Sequence, residues 1–273
     1  CIGINLFLKK CNSTLTIIAF IIIPGNTNNF NVETFKRQAI YNQIRESISE
    51  ISSKIEERLL GNLLRGQSLT KDLLHSEDIV KLKHHSLNLQ TNILPPIVTH
   101  NIIDSHQDII LNELRRSELI NKCDDRVKII YHPEFLNANN PIISMNYDDF
   151  VCGCDLGVFP SYYEPWGYTP PECISMAVPA VTTNLSGFGC FIEETLKCPS
   201  DHGVFVVNRR NQSLEDSIRQ LQEFILSYIQ KSSKARYMLR LRTEKIASLF
   251  DWNKLIVEYL KAQKLALMTR NNI

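Results

Sequence analysis

The sequence predicts an α/β protein built around parallel β-strands, and three observations carry that expectation. Short, apolar, often β-branched segments alternate with helical stretches along the chain. Those segments lack in–out alternation, so each is expected to be a strand covered on both faces. At 273 residues and 44% hydrophobic content, the chain is long enough for one large core or two modest ones. Thirty Lys and Arg against 29 Asp and Glu leave a net charge of +1, so no bulk field for nucleic acid or an acidic membrane exists. The apolar fraction is too high for a disordered chain.

The elements follow in order. The chain opens at Cys1 inside an apolar run, CIGINLFL, which reads as the middle of a helix or strand. No basic n-region precedes it, as a signal peptide would need, and the start is expected to be a cut within a longer protein. Leu15–Ile23 is the first strand. Its run Ile17–Pro24 falls far short of the roughly 20 residues of a membrane span. From Val32 to about Leu60 a helix is expected, with Ile40, Ile44, Ile48, Ile51, Ile55 and Leu59 forming one stripe. Two readings of that stripe stand. It is the inward face of a domain helix, or, since such a helix is long for one layer, a protruding face that pairs with another chain.

Pro96–His100 and Arg126–Tyr131 are the next strands, followed by a helix at Asp148–Cys152, a strand at Leu156–Pro160 and a helix at Pro171–Met176. Strands Ala180–Thr183 and Gly203–Val207 follow, then helices Leu214–Ile229, Ala235–Leu249 and Trp252–Met268. Ser186-Gly-Phe-Gly189 reads as a flexible turn, and Asn137–Asn140 as a polar loop beside a cleft. The eight cysteines form no CxxC pair and the seven histidines show no metal spacing, so small buried thiols in a reducing cytosol are expected and no metal is assigned.

The chemistry concentrates in Gly157–Glu172, GVFPSYYEPWGYTPPE. A buried strand opens there into a short loop before a proline-started helix, and ligands of open α/β sheets bind at such strand ends. Amides near Tyr168 to Glu172 are expected to offer an anion site. Within Leu156–Pro171 the only charged residue is Glu164, flanked by Tyr162, Tyr163, Pro165 and Trp166. A carboxylate among aromatics needs partners, and sugar hydroxyls supply them. Glu172 lies in the first turns of the following helix, where a negative side chain is favoured whether or not it has a second role.

These residues sit within longer motifs. YHPEFLNANNPI (131–142), Tyr147-Asp-Asp-Phe, GVFPSYYEPWGYTPPE and TTNLSGFGCFIEE (182–194) resemble the eukaryotic glycogen synthase family of glycosyltransferases. The likeness extends to TNNFNVETFKRQA (27–39), VTHNIID (98–104) and RLRTEKIASLFDW (240–252), and so covers nearly the whole chain. The resemblance implies the Rossmann-like C-terminal lobe of a two-lobed (GT-B) enzyme. Residues 1–273 would be the nucleotide-sugar-binding part, with 32–92 a helical insertion used for assembly and 213–270 the closing helices. The N-terminal acceptor lobe and the RYEFxNKG segment are absent from this sequence. On this reading the full enzyme is cytoplasmic, needs no cofactor or metal, and transfers glucose from UDP-glucose to the 4-hydroxyl of a glycogen chain end with retention. The chain by itself is expected to transfer none. A truncated, non-catalytic product that keeps effector binding and helix-mediated association is the alternative, and a donor lobe from another UDP-sugar transferase is a third.

Residue by residue, the resemblance assigns Glu164 to the glucosyl hydroxyls and to catalysis, and Trp166 and Gly167 to the donor. Tyr168 and Thr169 would lie at the diphosphate, Tyr147 against the uracil and Glu172 at the ribose. Two positions depart from the family pattern: Cys152 replaces an Arg, and Asp155 replaces a His beside the bound phosphates. Between Phe224 and Thr243 the chain holds Lys231, Lys234, Arg236, Arg240 and Arg242 and no acid. Arg236 and Arg240 share a helix face, where like charges repel. From the residues alone this is a solvated basic face or a phosphate site. The resemblance implies that Arg236 and Arg240 hold glucose 6-phosphate, with Ser233 and Lys234 standing where the family has two further arginines. Implied partners are a homotetramer and glycogenin.

Overall fold

The computed structural model describes residues 1–70, 73–89 and 94–271. The α/β expectation holds in two compact units, Cys1–Ser144 and Met145–Ile273. The assembly insertion expected at 32–92 includes residues 71, 72 and 90–92, which lie outside the described residues.

The first unit opens with α1 (Ile2–Lys10), which settles the ambiguous N-terminal run as a helix. Asn5 ties it to the sheet: its Oδ1 accepts from the Arg126 and Val127 amides at 2.7 and 3.2 Å, and its Nδ2 donates to Asp125 Oδ1. β1 (Ile17–Ile22) pairs in parallel with a later strand at Val127–His132, in register from Ile17↔Val127 to Ile22↔His132. Between them lies β2 (Thr27–Phe30), a strand the sequence reading missed, because Asn-rich TNNF has little strand propensity.

α2 (Val32–Leu64) runs further than expected and is N-capped by Asn31, whose side chain accepts from the Glu33 amide. It folds back against α3 (Ser76–Leu89), which lies within the 32–92 span expected to be helical but whose bounds the sequence did not give. Its buried positions are Ser47 and Ile51, and Ile48 and Leu59 of the expected stripe stay exposed. The polar contacts explain the rotation. Ser47 bonds His85 at 2.9 Å, and Arg58 pairs with Asp78 at 2.7 Å, which turns this face toward α3.

The strand expected at Pro96–His100 is corrected. β3 forms only at His100–Ile102 and runs antiparallel to β2. Pro95 and Pro96 donate no N–H, so the ladder toward Tyr131 is limited to bonds from residues 97–99. α4 (Ile109–Arg116), also unforeseen, is capped by Asp108 accepting from the Leu111 amide at 2.6 Å. β4 (Val127–His132) completes the unit, with Ile129 and Tyr131 fully buried.

The second unit begins with α5 (Tyr147–Cys152) and β5 (Gly157–Val158). The strand is shorter than Leu156–Pro160, because Pro160 cannot extend the ladder; Phe159 N–H makes the last bond, to Val181 O. α6 (Thr169–Ser175) leads to β6 (Ala180–Thr183), buried at every residue. α7 (Gly187–Thr195) replaces the flexible turn expected at 186–189. A Cβ on Gly187 would lie 2.1 Å from Pro165 O, and one on Gly189 2.1 Å from Thr183 O. These glycines serve close approach of the chain to itself, not looseness.

β7 (Val204–Val207) adds to β6, giving the parallel order β5-β6-β7. One face of the sheet, with Ala180 and Val204, packs on Ile174, Phe188 and Ile192. The other, with Val181, Phe205 and Val207, packs on Tyr228 and Leu239 of α8 (Leu214–Ile229) and α9 (Ser233–Ile246). α10 (Trp252–Asn271) follows a short 3₁₀ turn at Ala247–Leu249. Among the described residues, no helix is long and apolar enough to cross a membrane.

Candidate active site

Glu164 sits in the loop that leaves β5 at the C-terminal end of the parallel sheet. Its backbone is held on both sides: Glu164 N–H donates to Leu185 O at 3.3 Å, and its carbonyl accepts from Gly187 N–H at 3.1 Å. The side chain is half-buried, with Ser161 Oγ donating to Oε2 at 2.9 Å. Gly167, at φ +93°, lies against the same carboxyl group; a Cβ there would meet Oε2 at 3.4 Å. A half-buried carboxylate with one oxygen engaged and space kept beside it is suited to hydroxyl-bearing ligands.

The aromatic neighbours divide. Trp166 points into the core, its ring edge-on to Phe188 at 5.8 Å and tilted on Phe191 at 5.5 Å. Tyr163 is exposed, and Tyr162 lies under the Arg209 guanidinium at 3.7 Å. Tyr168 is exposed, as is Thr169. Of the amides from Tyr168 to Glu172, two are prolines and Glu172 N–H is spent on Tyr168 O, so the expected anion site narrows to those of Tyr168 and Thr169.

Glu172 and Tyr147 meet. The Tyr147 hydroxyl donates to Glu172 Oε2 at 3.2 Å, and burial, more than nearby Cys173 and Glu172, pushes that phenol well above its usual range. Burial likewise pushes the Cys173 thiol up to about 12. Glu164 and Glu172 lie on one loop-and-helix segment, and Glu172 reaches Tyr147 on the preceding α5. Ser161 and Arg209 were missed by the sequence reading; the adjacent basic pair Arg209-Arg210 just after a strand was the available signal.

The second expected site lies on α9. Arg240 donates from Nη1 to Cys154 O at 3.0 Å and from Nη2 to Cys152 O at 3.1 Å, satisfying carbonyls at the C-terminal end of α5. Arg236 is half-buried, and its side chain makes no hydrogen bond or ion pair among the described residues. Asp155, one of the two positions expected to depart from the family pattern, is exposed, and its backbone carbonyl accepts from the Tyr228 hydroxyl at 2.8 Å. No group of three His, Cys, Asp or Glu among the described residues is arranged to hold a metal ion.

A family model described as glycogen synthase matches residues 2–271. The chain belongs to the glycogen synthase family. Its relatives include the glycogen [starch] synthase of Neurospora crassa, 45% identical over 97% of this chain and 38% of that protein. Isoform 2 of Saccharomyces cerevisiae is 44% identical over 97% and 39%, and the human liver enzyme 44% over 97% and 38%. The chain thus spans about two-fifths of the length of these curated relatives. The solved structure of WaaG, a glycosyltransferase involved in lipopolysaccharide biosynthesis, aligns over 91% of this chain and 48% of its own, with TM-score 0.37 and 14% identity. Family membership accounts for the long motifs around Glu164 and Glu172 and along α9.

Proposed function

We propose that the full-length protein transfers the glucosyl group of UDP-glucose to the 4-hydroxyl at a non-reducing end of glycogen, forming an α-1,4 link with retention. The observation that carries this is the glycogen synthase match along residues 2–271, which includes the segment holding Glu164 at a parallel-sheet edge. In this reading the chain is the nucleotide-sugar-binding part of a two-lobed enzyme. Residues 32–92 serve assembly and 213–270 carry regulation.

Glu164 binds the glucosyl hydroxyls and stabilises the positive charge that develops at the anomeric carbon as the diphosphate leaves. Tyr147 packs on the uracil, and Glu172, linked to it, takes the ribose. Trp166 and Gly167 contact the donor through backbone, since the Trp166 ring is occupied in the core. The Tyr168 and Thr169 amides face the diphosphate. No metal or cofactor enters the scheme.

Arg236 and Arg240 bind the phosphate of glucose 6-phosphate, the activating effector. The exposed apolar side chains of α2, Ile48, Leu59 and Leu63 among them, support homotetramer contacts, and glycogenin is a further partner. The eight cysteines are free thiols, but only Cys173 is buried and five are exposed, against the buried thiols expected; a cytoplasmic location would keep such exposed thiols reduced.

The test is incorporation of labelled glucose from UDP-glucose into glycogen by the purified full-length protein. Incorporation into α-1,4 links, stimulated by glucose 6-phosphate, is expected. A folded full-length protein that binds UDP but incorporates nothing overturns the reading.

A further inference from the structure

The Glu164 carboxylate stands on a loop that has no regular secondary structure, yet something must hold that loop to sub-ångström tolerance for the carboxylate to act. The hydrogen bonds around it lead to one cation. Arg209 Nη1 donates to the carbonyl oxygens of Pro160 and Ser161, at 3.1 and 3.3 Å. Its guanidinium carbon lies 3.7 Å from the centroid of the Tyr162 ring. Arg209 thus grips the three consecutive residues Pro160, Ser161 and Tyr162, one residue short of Glu164. Among the described residues no carboxylate pairs with it within 4.0 Å, and its Nη1 serves this loop rather than a salt bridge.

The arginine is itself anchored. Its backbone N–H donates to Asn184 Oδ1 at 2.8 Å, and Asn184 Nδ2 donates to Asn208 Oδ1 at 2.8 Å. Asn184 is buried at the end of β6, so the guanidinium is carried by two adjacent strand ends of a rigid sheet. On the other side of the loop, the fully buried Thr183 donates from Oγ1 to the same Ser161 carbonyl at 2.9 Å. Ser161 is therefore fixed through its carbonyl by two side chains, and its hydroxyl, pointing the other way along the loop, holds Glu164 Oε2.

We infer that Arg209 and Ser161 are positioning residues for Glu164: Arg209 fixes the Pro160–Tyr162 backbone, and the Ser161 hydroxyl locks one carboxylate oxygen so that the other faces the sugar. The inference rests on the proposed transferase reaction for its kinetic consequence. A planar guanidinium suits the task because it lies against the Tyr162 ring while its Nη1 donates to both carbonyls, whereas a compact ammonium on a flexible stem offers no flat face to hold that geometry. A misplacement of about 1 Å costs on the order of 10²-fold in rate. Loss of either residue is expected to lower kcat while leaving the KM for UDP-glucose near its original value.

The experiment uses the full-length protein carrying Ser161→Ala, Ser161→Thr, Arg209→Ala, Arg209→Lys and the Ser161→Ala/Arg209→Ala pair. Ser161→Ala and Arg209→Ala should each lower kcat about 10- to 100-fold with KM changed less than about threefold. Ser161→Thr, which keeps the hydroxyl, should restore most of kcat, and Arg209→Lys should not. The double variant should be little worse than the worse single one, since both act through the same carboxylate. Multiplying losses, or equal damage to kcat and KM, would overturn the inference, as would normal turnover in either alanine variant. Amide hydrogen exchange supplies a readout independent of turnover. Arg209→Ala should speed exchange at Ser161 and Glu164 at least tenfold, with β6 amides unchanged. Unchanged loop exchange overturns the inference even if the protein proves to catalyse another reaction, whereas an inactive original protein with the expected exchange pattern overturns only the transferase reading.

Discussion

Arg240 Nη2 donates to the Cys152 carbonyl oxygen at 3.1 Å, which makes this arginine a clasp between α9 and the end of α5. Arg236, one turn earlier on the same helix, has no such bond among the described residues. The two arginines proposed to share one phosphate are therefore unequal before any ligand arrives. Arg240→Ala is expected to cost about 1.5–3 kcal/mol of stability, the range for hydrogen bonds from charged donors. Arg236→Ala is expected to leave stability within about 0.5 kcal/mol, as for surface changes away from such bonds. In the full-length protein both changes should abolish activation by glucose 6-phosphate. Denaturant titration and an effector titration separate the two effects, and equal stability losses would contradict the asymmetry.

Glu164→Gln preserves shape and removes charge. Turnover in the full-length protein is expected to fall about 10²- to 10³-fold, the scale of losing one preorganised electrostatic group. UDP affinity should change less than about threefold, because Tyr147 and Glu172 rather than Glu164 face the nucleotide in the proposed arrangement. Steady-state kinetics with calorimetry of UDP binding checks both. Near-normal turnover would make Glu164 a structural residue.

Gly187→Ala places a methyl group 2.1 Å from Pro165 O, a backbone atom that cannot rotate away. The expected loss is about 2–4 kcal/mol, in the range where strain becomes diagnostic. Gly61→Ala, where nothing lies within 4 Å of the added carbon, should instead be neutral or slightly stabilising as a helical Gly-to-Ala change. Chemical denaturation of both variants measures the contrast.

The Thr99 hydroxyl lies 2.9 Å from Nδ1 of both His100 and His132, two almost wholly buried imidazoles. Burial holds both below the usual histidine range; His100⁺ opposes protonation of His132, while Glu134 favours it only partly. On unfolding, both bind protons more readily than in the folded chain. Stability of the first unit is therefore complete above about pH 6.5 and declines as pH falls toward the lower folded values, by up to about 1.4 kcal/mol per pH unit for each group. Replacing His132 with Gln should flatten the slope measured by denaturant titration between pH 7 and 5. An unaltered slope would place the proton uptake elsewhere.

Much of the fold was legible where local preference and burial agree. Ala180–Thr183, apolar and β-branched, is the central strand, and Leu214–Ile229 begins and ends where its Ser213 cap and apolar face indicate. Thr27–Phe30 was not legible, because its strand state comes from pairing with His100–Ile102 and not from its own side chains. At 186–189 the glycines suggested a turn, yet the Ser186 cap and the approach of Pro165 made a helix start. Glu164 and Glu172 stood out because a lone carboxylate among aromatics is chemically conspicuous. Ser161 and Arg209 did not, since bonds from a guanidinium to carbonyls 48 and 49 residues away leave no trace in spacing.

The capping of α7 has a mechanical consequence. Its first two amides are taken by Glu164 O and Trp166 O, at 3.1 and 2.8 Å, and the glycines at 187 and 189 let the strands of backbone lie almost in touch. The loop and the first turn of α7 are thereby stitched together on either side of Pro165, so the backbone of Glu164 cannot shift without breaking bonds to the helix start.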